Sequence, residues 1–156
     1  MATAARRATA GPDTRASAIA LRVLSILMGV FFLFLAIDKI AWLTDDSILS
    51  TNFDEWSATA SPSVRWYIET IAKPGTPLFS RLVPLAEFAA GVALIAGFWT
   101  RLAAALALLM VLNFHFAMGS FQTIGFLRDG AGLPVVGSLL ALAIAGGRLP
   151  LSVSRQ

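Results

Sequence analysis

Two ionisable side chains interrupt long apolar stretches of this sequence, and they are its strongest candidates for chemistry. Glu87 is the one acid in the stretch from Leu82 to Trp99, and His115 lies in the stretch from Leu102 to about Phe121. An ionisable group at membrane depth is costly, so it is normally paired, turned inward or functional. Both groups can take up and release protons, so the pattern predicts that Glu87 and His115 form a catalytic, proton-handling pair.

Four further residues are predicted to bind a cofactor headgroup beside that pair. Asp38 and Lys39 end the first apolar stretch, and Asn113 lies near the end of the third. Gly91 follows Glu87 by one helical turn and lies on the same helix face, so a neighbouring helix or a ligand can approach closely there. Together these residues would supply charge, hydrogen bonds and space at one depth of the membrane.

Each of these residues also has a structural explanation that involves no ligand. Lys39 can extend its ammonium to the membrane interface, Asp38 can pair with it there, and His115 can be a hydrogen-bonded core residue. What favours a site is that the ionisable groups come from three different apolar stretches and converge on the outer half of the membrane.

Composition places the chain in the lipid bilayer and excludes several classes of site. Of its 156 residues, 57% are hydrophobic and only 13% are charged, whereas soluble domains carry about 25% charged residues. The sequence contains no Cys, so the chain cannot hold zinc or an iron–sulfur cluster through its own thiolates. The net charge of +3 comes from scattered arginines without a basic stripe. Nucleic acid is therefore not expected as a partner.

No resident metal is expected either. One histidine with scattered acids is a poor supply for the three protein ligands of a catalytic zinc site. A haem would need His115 together with the sulfur of Met110 or Met118, and no second histidine is present. The sequence also lacks a phosphate-binding glycine loop and a nucleophile elbow. These absences disfavour an autonomous enzyme of the soluble type.

The candidate residues are predicted to lie on transmembrane helices. A spanning helix needs about 20 mostly apolar residues. Four stretches approach that length: Ile19 to Leu43, Leu82 to Trp99, Leu102 to about Phe121, and the shorter Leu133 to Ala145. The first is not followed by a cleavage site, so it is expected to stay in the protein. The pattern predicts an all-α membrane protein in which a four-transmembrane-helix bundle occupies residues 18–147.

The basic residues predict how that bundle is oriented. With the tails at 1–17 and 148–156 inside, seven of the twelve Lys and Arg residues lie on the cytoplasmic side and five on the outer side. Positive residues concentrate in cytoplasmic loops. Both tails are therefore predicted to be cytoplasmic.

The outer loop 44–81 is too long to be an idle connection and should carry structure. Ser61 can cap a helix and Pro62 fits its first position, after which apolar residues recur at helical spacing as far as Pro74. A short amphipathic helix over 61–73 is predicted. Its aromatic residues would place it in the outer membrane interface, either as a cover of the bundle or as a lid over a site.

Two sequence motifs resemble the DoxX family. The run RVLSILMGVFFLFLAIDK, which ends at Lys39, resembles the first helix of that family, and EFAAGVALIAGFWTR, from Glu87 to Arg101, resembles its second helix and the following turn. The resemblance implies a four-helix protein of the bacterial inner membrane, similar to the DoxD-like membrane subunit of thiosulfate:quinone oxidoreductase. Asp38 departs from the pattern, since many relatives have a neutral residue there, and the lack of Cys excludes a thiol mechanism.

Two functions are compatible with these features. The first is a membrane subunit of a quinone-linked respiratory or redox complex, in which Glu87 or His115 hydrogen-bonds a quinone oxygen and passes its proton, while Lys39 or Arg101 holds charge near a boundary. The second is a non-catalytic accessory subunit that stabilises a larger membrane complex. Its contacts would use the outer loop and two stripes of small residues spaced four apart, Ala89, Ala93 and Gly97 and then Gly137, Ala141 and Ala145.

Overall fold

The computed structural model describes residues 12–147 and 149–153, and within these residues all regular structure is helical. Short connections join the helices, among them 3-10 turns at Ile40–Leu43 and Ser120–Gln122 and a π-helical segment at Ile68–Ala72. The α-helices in chain order are α1 Pro12–Asp38, α2 Ser47–Thr59, α3 Pro62–Tyr67, α4 Thr76–Ala96, α5 Thr100–Ala117, α6 Gly125–Arg128 and α7 Leu133–Ala145.

Three of these helices are long and apolar enough to cross a membrane: Thr14–Asp38 within α1, Thr76–Ala96 and Thr100–Ala117. The prediction of an all-helical membrane protein is confirmed to that extent. The fourth apolar helix, α7, has 13 residues. At 1.5 Å per residue it reaches only about 20 Å, less than the roughly 30 Å of a hydrocarbon core. Four spans remain a prediction.

The outer loop contains more helix than its sequence pattern indicated. A helical backbone runs through α3 and the π-helical segment, close to the predicted 61–73, but α2 was not predicted. Leu49 and Phe53 of α2 are buried against Val64 and Ile68 in a small second core. The polar residues between Leu49 and Phe53 obscured this apolar face in the sequence. The loop is therefore a packed layer over one end of the bundle.

An exposed ion-pair cluster joins α2 to the π-helical segment. Nζ of Lys73 lies 2.8 Å from Asp54 and 2.7 Å from Glu69. Hydrogen bonds from Lys73 to these two carboxylates raise the pKa of its ammonium. Because all three side chains are accessible to solvent, the cluster orients the two segments without contributing much to stability.

Two glycines set the crossing of α1 and α4, the most extensive helix contact in the bundle. A Cβ atom on Gly29 would lie 2.6 Å from Cγ1 of Ile95 and 2.7 Å from the carbonyl oxygen of Gly91. A Cβ atom on Gly91 would lie 2.9 Å from the carbonyl oxygen of Gly29. The close approach of a helix beside Gly91 is thus confirmed, and it aligns the end of α1 with the middle of α4.

The small-residue stripe of α7 behaves differently. Among the described residues nothing lies within 4 Å of a Cβ placed on Gly137, and Ala145 is exposed. The opposite face of α7 is buried instead, through Val135, Leu139 and Leu142. Gly137 therefore does not approach another described helix of this chain closely, and a role of this stripe in contacts with partner subunits stays a prediction, because spacing alone does not tell which face turns inward.

Two arginines close the end of the bundle opposite the outer loop. The Arg22 guanidinium donates to the carbonyls of Leu94 (3.1 Å) and Ile95 (2.6 Å) in the last turn of α4, and it also reaches the carbonyl of Leu151. Arg101 donates to the carbonyl of Ala143 in the last turn of α7. The last carbonyls of a helix lack partners within it and carry partial negative charge, so cations are favourable there.

Candidate functional site

A buried ion pair joins α1 to α4. Nζ of Lys39 lies 2.9 Å from Oε1 of Glu87, and the exposed fractions of the two side chains are 15% and 3%. Lys39 comes directly after the last residue of α1, and Glu87 lies in the middle of α4. The ammonium also lies 3.4 Å from the carbonyl of Leu35 and 5.8 and 5.9 Å from the ring centres of Trp42 and Phe114. Lys39 therefore balances the carboxylate in surroundings that are otherwise aromatic and apolar.

His115 is held in one orientation near the end of α5. It is 3% exposed, and its Nε2 lies 3.1 Å from the carbonyl oxygen of Ala131. A carbonyl oxygen can only accept, so Nε2 carries a hydrogen and donates it. The imidazole also contacts the rings of Phe121 and Phe126, with centres 6.0 and 5.1 Å away. The connection between α5 and α7 thus folds back over the histidine and fixes the direction of its second nitrogen.

Glu87 and His115 each have one polar side-chain atom without a hydrogen-bond partner among the described residues. These atoms are Oε2 of Glu87 and Nδ1 of His115, both buried, and the third such atom, Nε of Arg22, lies at the other end of the bundle. A buried polar atom without a partner costs about 1–3 kcal/mol, so native proteins leave few of them. Their presence at one place calls for an explanation.

Both side chains line one cavity of about 230 Å³. Its polar wall consists of Lys39, Glu87 and His115 together with Asn52 from α2 and Asp129 from the connection before α7. Aromatic and aliphatic side chains form the rest. Pockets for drug-sized ligands have volumes of roughly 300–1,000 Å³, so this cavity suits a smaller group such as one substituted ring.

The other predicted binding residues lie outside this cavity. Asp38 is exposed at the end of α1, and Gly91 is buried in the crossing with Gly29. Oδ1 of Asn113 accepts a hydrogen bond of 2.7 Å from the Tyr67 hydroxyl. The structure therefore brings together Lys39, Glu87 and His115 of the predicted set, and a ligand role for the remaining three stays a prediction.

Sequence reasoning did not identify Asn52 and Asp129 as parts of the wall. Asn52 lies on α2, the helix that was not predicted, so nothing in the sequence pattern indicated its position. Asp129 precedes Gly130 in a turn, where its carboxylate accepts a hydrogen bond of 3.0 Å from the backbone of Ala131. Aspartate before glycine is typical of turns, and that signal indicates a turn without indicating a site.

A larger apolar groove of about 660 Å³ lies between α4 and α5. Ala86, Ala89 and Ala93 leave room along its floor, and Asn113 and Tyr67 are among its few polar side chains. Both cavities have three side chains in common in their walls, Trp56, Met110 and Phe114. The small polar cavity is thus separated from the groove by side chains alone.

Comparison with known proteins gives one match. A family model described as DoxX matches residues 19–120, which include Lys39, Glu87 and His115. No curated protein and no solved structure matches the chain.

Proposed function

The chain belongs to the DoxX family, and from that premise we propose that it is a membrane subunit of a quinone-linked redox complex whose headgroup site is the Glu87–His115 cavity. One observation carries the proposal: Glu87 and His115 both line a ring-sized cavity, and each has a buried side-chain atom, Oε2 and Nδ1 respectively, without a hydrogen-bond partner among the described residues. Groups that handle protons in an apolar pocket are what conversion between a quinone and its quinol requires.

The chain's own residues would bind and position the ring and manage its protons. Glu87 and His115 hold or release a proton at Oε2 and Nδ1, and Lys39 balances the carboxylate from its other oxygen. Trp42 and Phe114 supply apolar surface in the cavity wall for contact with the ring. The electrons come from or go to an electron-carrying partner subunit, because this chain contains no Cys for an iron–sulfur cluster.

The same proposal includes four spans in a bacterial inner membrane with both tails in the cytoplasm. The shortness of α7 is compatible with a span because a bilayer can thin locally around a short apolar segment. In this proposed orientation Arg22 and Arg101, which donate to carbonyls at the ends of α4 and α7, would lie on the cytoplasmic side, where positive residues are concentrated.

We expect a reporter fused after Gln156 to be active only in a cytoplasmic assay. A reporter inserted after Ala60, between α2 and α3, should be active only in the periplasm. The two fusions are measured in the same cells by alkaline phosphatase and fluorescent protein activity. Periplasmic activity after Gln156 together with periplasmic activity after Ala60 would reduce the spans to three.

Glu87→Gln is expected to lower quinone-dependent turnover of the native complex about tenfold or more while the complex remains assembled. Glutamine keeps the size and hydrogen-bonding capacity of the side chain but cannot exchange a proton. Turnover and subunit content are measured on the complex purified from membranes. Glu55→Gln, at an exposed position of α2, is the matched control and should change neither quantity. Normal turnover of the Glu87→Gln complex would contradict the proposed function.

The groove between α4 and α5 supports a second candidate, the non-catalytic accessory subunit. A concave apolar surface with small residues along its floor can receive a helix of another membrane protein. For that function Glu87→Gln should leave turnover intact, whereas Ala89→Phe and Ala93→Phe should release partner subunits. Turnover of the Glu87→Gln complex and retention of partner subunits by the two Phe variants therefore distinguish the two candidate functions.

A further inference from the structure

We propose that the Glu87–His115 cavity selects the reduced, hydroxyl-bearing form of the ring over the oxidised quinone. The inference rests on the proposed function for the kind of ligand, and it adds which redox form the site holds. The selectivity follows from two properties of the side chains that line the cavity: the direction of the hydrogen bonds that they make, and the buried acceptor atoms that have no donor.

The backbone around His115 determines what its second nitrogen can do. Nε2 donates its hydrogen to the carbonyl oxygen of Ala131, which can only accept. In the neutral imidazole that satisfies this contact, Nδ1 carries a lone pair and no hydrogen. The buried Nδ1 without a partner is therefore an acceptor.

Glu87 offers a second acceptor in the same wall. Its Oε1 is engaged by the Lys39 ammonium, while Oε2 is buried and has no partner among the described residues. A carboxylate in an ion pair has oxygens that accept hydrogen bonds and none that donate. Asp129, also in the wall, is exposed and already accepts from the backbone of Ala131, so the two buried acceptors are those of His115 and Glu87.

The wall also contains donors, namely Lys39, Asn52 and the indole N–H groups of Trp42 and Trp56, but none of these is a buried atom without a partner among the described residues. The Lys39 ammonium is aimed at Oε1 of Glu87 and at the carbonyl of Leu35. Asn52 can both donate and accept. The unmet need of the buried wall is thus for donors from the ligand, and a hydroxyl group supplies them, whereas a quinone carbonyl supplies none.

The energetic consequence has a definite direction. A ring that donates to Nδ1 or Oε2 removes an unsatisfied buried acceptor, and a ring that only accepts leaves both as they are. Each such atom is expected to change affinity by roughly tenfold to a hundredfold. Shape and apolar contacts are nearly the same for the two redox forms, so they do not oppose this preference.

The test titrates four ligands with the same decyl tail into the full chain in lipid nanodiscs under anaerobic conditions. They are 2-decylhydroquinone, its monomethyl ether, its dimethyl ether and 2-decyl-1,4-benzoquinone, and binding heats are corrected with nanodiscs that lack protein. The expected order of affinity is hydroquinone, then monomethyl ether, then dimethyl ether and quinone together. The last two should bind about tenfold or more weakly than the hydroquinone.

Glu87→Gln provides the matched variant. The amide replaces an acceptor oxygen by a donor NH₂ group of similar size, so the preference for hydroquinone over quinone should fall several-fold or reverse. If quinone binds the parent protein as tightly as hydroquinone does, or more tightly, the proposed selectivity is wrong while the quinone site stands. If none of the four ligands binds above the nanodisc background, the proposed function itself fails.

Discussion

Replacing Lys39 with leucine is expected to destabilise the protein by about 3–5 kcal/mol, because it leaves the buried carboxylate of Glu87 without its counter-charge. The carboxylate is 3% exposed, so solvent cannot replace the ammonium. The measurement is thermal or denaturant unfolding of the purified protein in one detergent. Lys73→Leu, which removes an ammonium that also bonds carboxylates but in solvent, should hardly change the unfolding midpoint.

The double variant Lys39→Leu/Glu87→Leu makes this prediction specific to the pair. Removing both charges and filling their volume with apolar atoms leaves no buried charge unpaired, so most of the lost stability should return. If the double variant loses as much as the sum of the single variants, the two side chains are not coupled. That result would contradict the ion pair as the link between α1 and α4.

Gly29→Val is expected to cost about 1–3 kcal/mol or more through overpacking at the crossing of α1 and α4. Its Cβ atom would lie 2.7 Å from the Gly91 carbonyl oxygen, and a backbone atom cannot rotate away as a side chain can. The helices must separate, so the distance between Lys39 and Glu87 should increase and ligand affinity should fall with stability.

Gly137→Val is the matched control for this crossing, since it makes the same change in an open position of an apolar helix. We expect its midpoint in detergent to stay close to that of the parent protein. Equal losses at Gly29 and Gly137 would mean that a β-branched residue in the helix, and not the close approach of two backbones, determines the result.

The sequence was sufficient to identify three ionisable residues of the candidate site but not the geometry that brings them together. Glu87 and His115 stand out because ionisable groups are rare within apolar stretches, and Lys39 ends such a stretch. The contact of Lys39 with Glu87 depends on the register of two helices that are far apart in the chain. That register is set by Gly29 and Gly91, and a sequence pattern identifies small residues without identifying which of them meet.

Other features were missed because their cause is tertiary. The face of α2 contains few apolar residues, and it becomes a core only when Val64 and Ile68 pack against it. Arg22 was predicted as a cytoplasmic charge, yet its partners are backbone carbonyls, which leave no trace in side-chain composition. The spacing of Gly137 had the opposite effect, since it indicated a packing face, whereas the structure turns this residue away from the other described helices.

The contacts of Arg22 also impose an order on biogenesis. During synthesis α1 leaves the ribosome long before α4, and the carbonyl of Leu151 that Arg22 also binds emerges later still. Before α4 is made, the guanidinium lacks all three of these carbonyl acceptors, and between the synthesis of α4 and that of Leu151 it lacks the third. The hydrogen bonds at the end of the bundle opposite the outer loop are therefore complete only after residue 151 has been made, so a nascent chain stalled before α4 carries a cationic first helix without these contacts.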